Sequence, residues 1–176
     1  MPPCFGTAAF LQKRKIVMKK EIKKIASFEV DHRYITPGIY ISRKDGDITT
    51  YDMRTRRPNC GDYMDNITMQ SLEHMFATFV RSSEIADDII YFGPMGCQTG
   101  FYLLVRNADD KKVLEVIEST LEKIINHAGD VFGASEIECG NYKNLDINSA
   151  KTEANLYLDV LKNYGEIDFM YKGEKQ

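Results

Sequence analysis

Apolar and polar positions follow two different periods along the chain, and the change of period divides it into elements. Residues 26–54 are strand-like: Ala26 to Val30 and Gly38 to Arg43 are short β-leaning pieces, and Lys44-Asp45-Gly46-Asp47 is a hairpin turn signal. Asp47 to Arg54 is then the returning strand, and RRPNCGDYMDN, residues 56–66, is a loop by composition. From about Thr68 to Ser83 the period becomes helical, with Met69, Leu72, Phe76, Phe79 and Val80 marking a core face. Gln70, Glu73, His74 and Ala77 form the adjacent strip, because residues four apart sit one turn above each other. Ile89 to Phe92 and Phe101 to Arg106 read as two strands around the glycine-rich turn GPMGCQTG. A second helix runs from about Asp109, its N-cap, to His127. It turns Val113, Leu114, Ile117, Leu121 and Ile124 inward and stops at Gly129. A third runs from about Asn148 to Tyr164 and ends at Gly165, and the closing EIDFMYKGEKQ carries little pattern. Strands first, then alternation with helices and no Rossmann glycines, predict an α+β fold with a mostly antiparallel sheet.

Composition narrows the function classes. A chain of 176 residues with 43% hydrophobic and 28% charged positions fits one globular domain whose core needs no staples. A net charge of -3 argues against a nucleic-acid partner, and every apolar run falls short of the roughly 20 residues of a membrane span. Cys4, Cys60, Cys97 and Cys139 are scattered without CxxC pairs, which suits a reducing cytoplasm. The basic residues near the N-terminus follow a small apolar stretch, the reverse of a signal peptide. Residues 1–17 are therefore read as a disordered extension and 18–176 as a single domain.

Three local features could carry chemistry. Gln70-Ser-Leu-Glu73-His74 is one substitution from HxxEH, in which two imidazoles one helical turn apart grip a metal and the glutamate moves protons. Taken alone, a histidine such as His74 is more often a satisfied, half-buried side chain than a ligand. Gly93 to Gly100 surrounds Cys97 with glycines that let backbone approach a ligand closely; the bland reading is an inert thiol in a tight hairpin. Cys139, in Glu138-Cys139-Gly140, is a thiol in a loop, well placed as a ligand but unspecific by itself.

Together, in order, these features resemble the S-ribosylhomocysteine lyase family. The resemblance covers about Ala26 to Tyr164 and rests on five blocks. These are Ser27-Phe28-Glu29-Val30-Asp31-His32; Tyr51-Asp52-Met53-Arg54 with Arg57-Pro58-Asn59; and Ser71-Leu72-Glu73-His74 with Ala77, Thr78 and Arg81. The other two are the unusual Pro94-Met-Gly-Cys97-Gln-Thr-Gly-Phe-Tyr102 and Cys139-Gly140-Asn141-Tyr142.

The resemblance implies a homodimer whose antiparallel sheet is covered by helices on one side, with active sites at the subunit interface. It implies one divalent metal per subunit, Fe2+ natively with Co2+ or Zn2+ as substitutes, on two histidines, a cysteine and a water. The second histidine matches His74 and the cysteine matches Cys139, while the first histidine falls on Gln70. Glu73 matches the acid/base glutamate and Cys97 the catalytic thiol. Ser27, His32 and Arg54 match substrate-site positions, partly supplied by the neighbouring subunit. The implied reaction splits S-ribosylhomocysteine into L-homocysteine and 4,5-dihydroxypentane-2,3-dione, the precursor of the quorum-sensing signal autoinducer-2. For Gln70 three readings stand open: a weak oxygen ligand, a metal held by His74, Cys139 and waters, or an inactivating change. A metallopeptidase of the HxxEH type is disfavoured, because it needs a downstream carboxylate and has no use for PMGCQTG.

Overall fold

The computed structural model describes residue 25 and residues 28–171. Ser27 and the extension at residues 1–17 lie outside them. The chain forms β1 (Gly38–Asp45), β2 (Ile48–Arg54), α1 (Asn66–Val80), β3 (Ile89–Pro94), β4 (Gly100–Arg106), α2 (Asp110–Asn126) and α3 (Ile147–Lys162). The four strands make one antiparallel sheet in the order β1-β2-β4-β3. The predicted α+β architecture is observed.

Period-two alternation sorts each strand between two faces. Ile39, Tyr51, Met53, Phe92, Phe101, Leu103 and Val105 point to the helices and join Leu72, Phe76, Ile117, Leu121 and Leu158 in the main core. Tyr40, Asp52, Arg54 and Tyr102 lie on the opposite face. Each helix starts on an aspartate whose carboxylate accepts from backbone N–H groups left free in the first turn: Asp65 for α1, Asp109 for α2 and Asp146 for α3.

Two expectations need correction. Residues 28–30, expected to end a strand, form a turn in which Phe28 N–H donates to the Ile25 carbonyl (2.9 Å). The apparently featureless tail is docked. Ile41 N–H donates to the Phe169 carbonyl (2.8 Å), so the tail covers the outer edge of β1. Phe169 packs into the main core, while Tyr171 joins Ile35 and Tyr40 in a second cluster.

Candidate active site

Asp52 and Arg54, two residues apart on β2, point to the same sheet face, and both are almost fully buried (1% and 2% exposed). Arg54 donates from Nε to Asp52 Oδ1 (3.1 Å) and from Nη2 to Oδ2 (2.5 Å). Its remaining arm, Nη1, donates to Thr99 Oγ1 (2.6 Å) and reaches Cys97 Sγ at 3.8 Å. Burial opposes the Arg54 charge, but the Asp52 carboxylate outweighs it and holds the guanidinium above its ordinary range. The result is a fixed positive group beneath an exposed thiol.

The turn from β3 to β4 makes this possible. Gln98 takes a positive φ of 63°, and its N–H donates to the Met95 carbonyl (2.9 Å), so the chain reverses tightly around Cys97. Gly100 pairs with Arg54 so closely that a Cβ there would lie 2.5 Å from the Met53 carbonyl oxygen. Its lack of a side chain serves strand approach rather than ligand approach. A cavity of about 180 Å³ opens over the thiol, lined by His32, Pro58, Asn59, Tyr63, Cys97 and Thr99. The His32 Nδ1–H donates to the Val30 carbonyl (3.0 Å), which leaves Nε2 of the neutral ring as an acceptor.

A second group forms on α1. The His74 Nδ1–H donates to the Phe132 carbonyl (2.8 Å), which fixes the ring and leaves a lone pair on Nε2. Glu73 and His74 line an open cleft of about 530 Å³ with Ala77, Thr78, Phe132 and Gly133. Burial pushes the Glu73 carboxyl above the usual range, and the adjacent His74 pulls it part of the way back. Gln70 is clamped. Its Nε2 donates to Cys139 Sγ (3.1 Å) and to the Asn141 carbonyl (3.4 Å), while its Oε1 accepts from Asn144 Nδ2 (3.1 Å). A backbone carbonyl can only accept, so the Asn141 contact sets which end of the amide faces the sulfur.

The structure thus joins His32, Arg54 and Cys97 in one group, and Gln70 with Cys139 beside Glu73 and His74 in another. His32 and Cys97 line one cavity and Glu73 and His74 another, and among the described residues no hydrogen bond joins the two groups. Within one chain, Arg54 and His32 stand beside Cys97. Sequence reasoning missed the roles of Asp52 and Thr99, although both stood inside quoted motifs. It also missed Asn144 and Tyr171, which no local pattern announces.

The sequence profile described as S-Ribosylhomocysteinase (LuxS) matches residues 25–166. The chain belongs to the S-ribosylhomocysteinase family. It is 42% identical over 156 residues to the S-ribosylhomocysteine lyase of Borreliella afzelii, covering 85% of this chain and 99% of that protein. Against the protein of the same name from Finegoldia magna it is 39% identical over 155 residues, with the same coverage. The Clostridium beijerinckii protein of that name is 40% identical over 157 residues, again covering 85% of this chain and 99% of its own length.

S-ribosylhomocysteinases are metal-dependent, and the donor atoms around Cys139 bear on that property here. The His74 imidazole and the Cys139 sulfur suit a late first-row divalent ion. Gln70 does not join them, because the group it turns to the sulfur is an N–H donor and its oxygen is taken by Asn144. Among the described residues no three His, Cys, Asp or Glu side chains are grouped to hold a metal ion. The residues present therefore do not make a complete S-ribosylhomocysteinase metal site.

Proposed function

We propose that this protein cleaves S-ribosylhomocysteine to L-homocysteine and 4,5-dihydroxypentane-2,3-dione, by carbonyl migration along the ribose and then β-elimination. The observation that carries this reading is the exposed Cys97 thiol held over the buried Arg54–Asp52 pair. The ribose carbonyl must move from C1 to C3 before the thioether can leave, and each step removes a proton beside a carbonyl. Cys97 is assigned the taking and returning of that proton, with the Arg54 charge facing its sulfur. Glu73, whose carboxyl burial pushes up, suits a group that gives and takes a proton nearer neutral pH than an ordinary glutamate. His32, and Ser27 ahead of it, are assigned to substrate hydroxyls.

The working unit is taken as a cytoplasmic homodimer. Supporting this, the sheet face opposite the main core carries a groove lined by Ile25, Tyr91, Tyr102 and Leu104 together with Ser42, Arg43 and Thr50, and Ile25 and Tyr91 are about half exposed. Cys60, Cys97 and Cys139 are free thiols, as a reducing compartment favours, and no helix among the described residues is long and apolar enough to cross a membrane. His74 and Cys139 are the donors available to the divalent ion, Fe2+ with Co2+ or Zn2+ as substitutes. Two donors hold such an ion weakly.

The Gln70 clamp favours a second reading, a metal-poor homologue that binds the substrate but turns it over slowly or not at all. A free-thiol assay for released homocysteine, with metal counted per subunit, separates the two. The lyase reading expects release, and expects Cys97→Ala to lose about 10²–10⁴-fold in rate with fold and metal content unchanged. Absence of release even with added cobalt leaves only the second reading. Full release by the Cys97→Ala variant removes the thiol from the chemistry.

A further inference from the structure

We infer that Tyr171, in the docked tail, is a positioning residue for the reacting thiol, acting through Asp52 and Arg54. The inference rests on the reading of Cys97 as that thiol. Tyr171 lies beyond the residues matched by the family profile, which ends at 166. Its ring is 8% exposed and stacks on Tyr40 at 4.7 Å between centroids. Its hydroxyl donates to Asp52 Oδ2 at 2.8 Å. That oxygen is also the one that pairs with Arg54 Nη2 at 2.5 Å, so the phenol and the guanidinium share it.

The sharing has a direction. A carboxylate oxygen that accepts a second strong hydrogen bond holds the guanidinium less tightly. More of the Arg54 charge is then left for Nη1, which faces Thr99 Oγ1 and Cys97 Sγ. The phenol also fills a place on a nearly fully buried carboxylate that would otherwise lack a partner, which fixes the plane of the pair. The tail is held where this requires by the Phe169 carbonyl on β1 and by the Phe169 ring edge-on to Tyr51. A run of three contacts thus leads from the last described residue to the sulfur.

Tyr171→Phe tests this, since it keeps the stacked ring and deletes only the O–H. Alkylation of Cys97 by iodoacetamide, followed by mass spectrometry of the Cys97 peptide, should slow roughly fivefold, about the worth of one buried hydrogen bond. The kcat for homocysteine release should fall by a similar factor with KM unchanged, and the melting temperature should move by no more than about 3 °C. On an Asp52→Asn background the same change should add no further slowing, because the route through the carboxylate is already cut. Wild-type alkylation in Tyr171→Phe, or equal slowing on both backgrounds, would overturn the inference. Alkylation reports on the sulfur without turnover. If Cys97→Ala kept full activity, the catalytic reading would fall while the alkylation rates still decided whether Tyr171 governs the thiol.

Discussion

At the scale of a single residue, Gln70 shows how far spacing can be read and where it stops. Its place one turn before His74 on the polar strip of α1 follows from helical periodicity, and both side chains lie on that strip. The direction of its amide does not follow from any local pattern. It is set by Asn141 and Asn144, about seventy positions away in a loop, through one carbonyl acceptor and one amide donor. An imidazole at this position would offer a nitrogen lone pair where the present amide offers an N–H, and imidazole binds late first-row metals better than an amide does. Gln70→His should therefore raise metal per subunit, counted by mass spectrometry after preparation with excess cobalt. It should also raise the initial rate at least about tenfold, equivalent to roughly 1.4 kcal/mol of barrier. Equal occupancy and equal rates in the two proteins would mean that the clamp does not limit the site.

At the scale of elements, most of the architecture was legible because the periods are clean. The hairpin turn at residues 44–47, the three helices and the strand pair around PMGCQTG all stand close to where the apolar spacing put them. Met75 falls outside the strict three-and-four repeat of the α1 core face yet is fully buried, because that face is wider than the repeat suggests. The glycines of the turn were harder to read. Their abundance suggested room for a ligand, whereas Gly100 provides room for β2, and only the strand register reveals this. A methyl group at Gly100 meets backbone on both Met53 and Arg54, and backbone cannot swing aside as a side chain tip can. Gly100→Ala should destabilise the fold by about 1–3 kcal/mol, the usual range for overpacking, read as a lower urea midpoint at unchanged slope. Because the strain falls beside Arg54, Cys97 alkylation should slow as well. A variant with the wild-type midpoint would show that the two strands can part at no cost.

At the scale of the whole molecule, the tail and the division of the site were the least legible features. The tail depends on a contact across 119 positions, Tyr171 with Asp52, and the site on contacts between separate elements, such as Arg54 with Cys97 and Gln70 with Cys139. The division has the larger consequence. One chain carries a thiol group of His32, Arg54 and Cys97 and, on α1, the pair Glu73 and His74; Cys97 and His74 line different cavities. A reaction needing both groups on one ribose requires either that one chain bring its two cavities together or that a second chain bring its own α1 against the first chain's thiol. A two-fold dimer does the latter twice over, with one complete site from each pairing. Mixing two inactive variants distinguishes these cases. Cys97→Ala has a sound second group and His74→Ala a sound thiol group. In a mixed dimer with shared sites, one of the two sites therefore receives both sound halves. Random re-pairing makes half of the dimers mixed, so an equal mixture should recover about a quarter of the wild-type rate per subunit. Sites built within single chains would recover nothing, because every chain in the mixture carries a defect. A dead mixture whose subunits are shown by native mass spectrometry to have exchanged would therefore rule out the shared site.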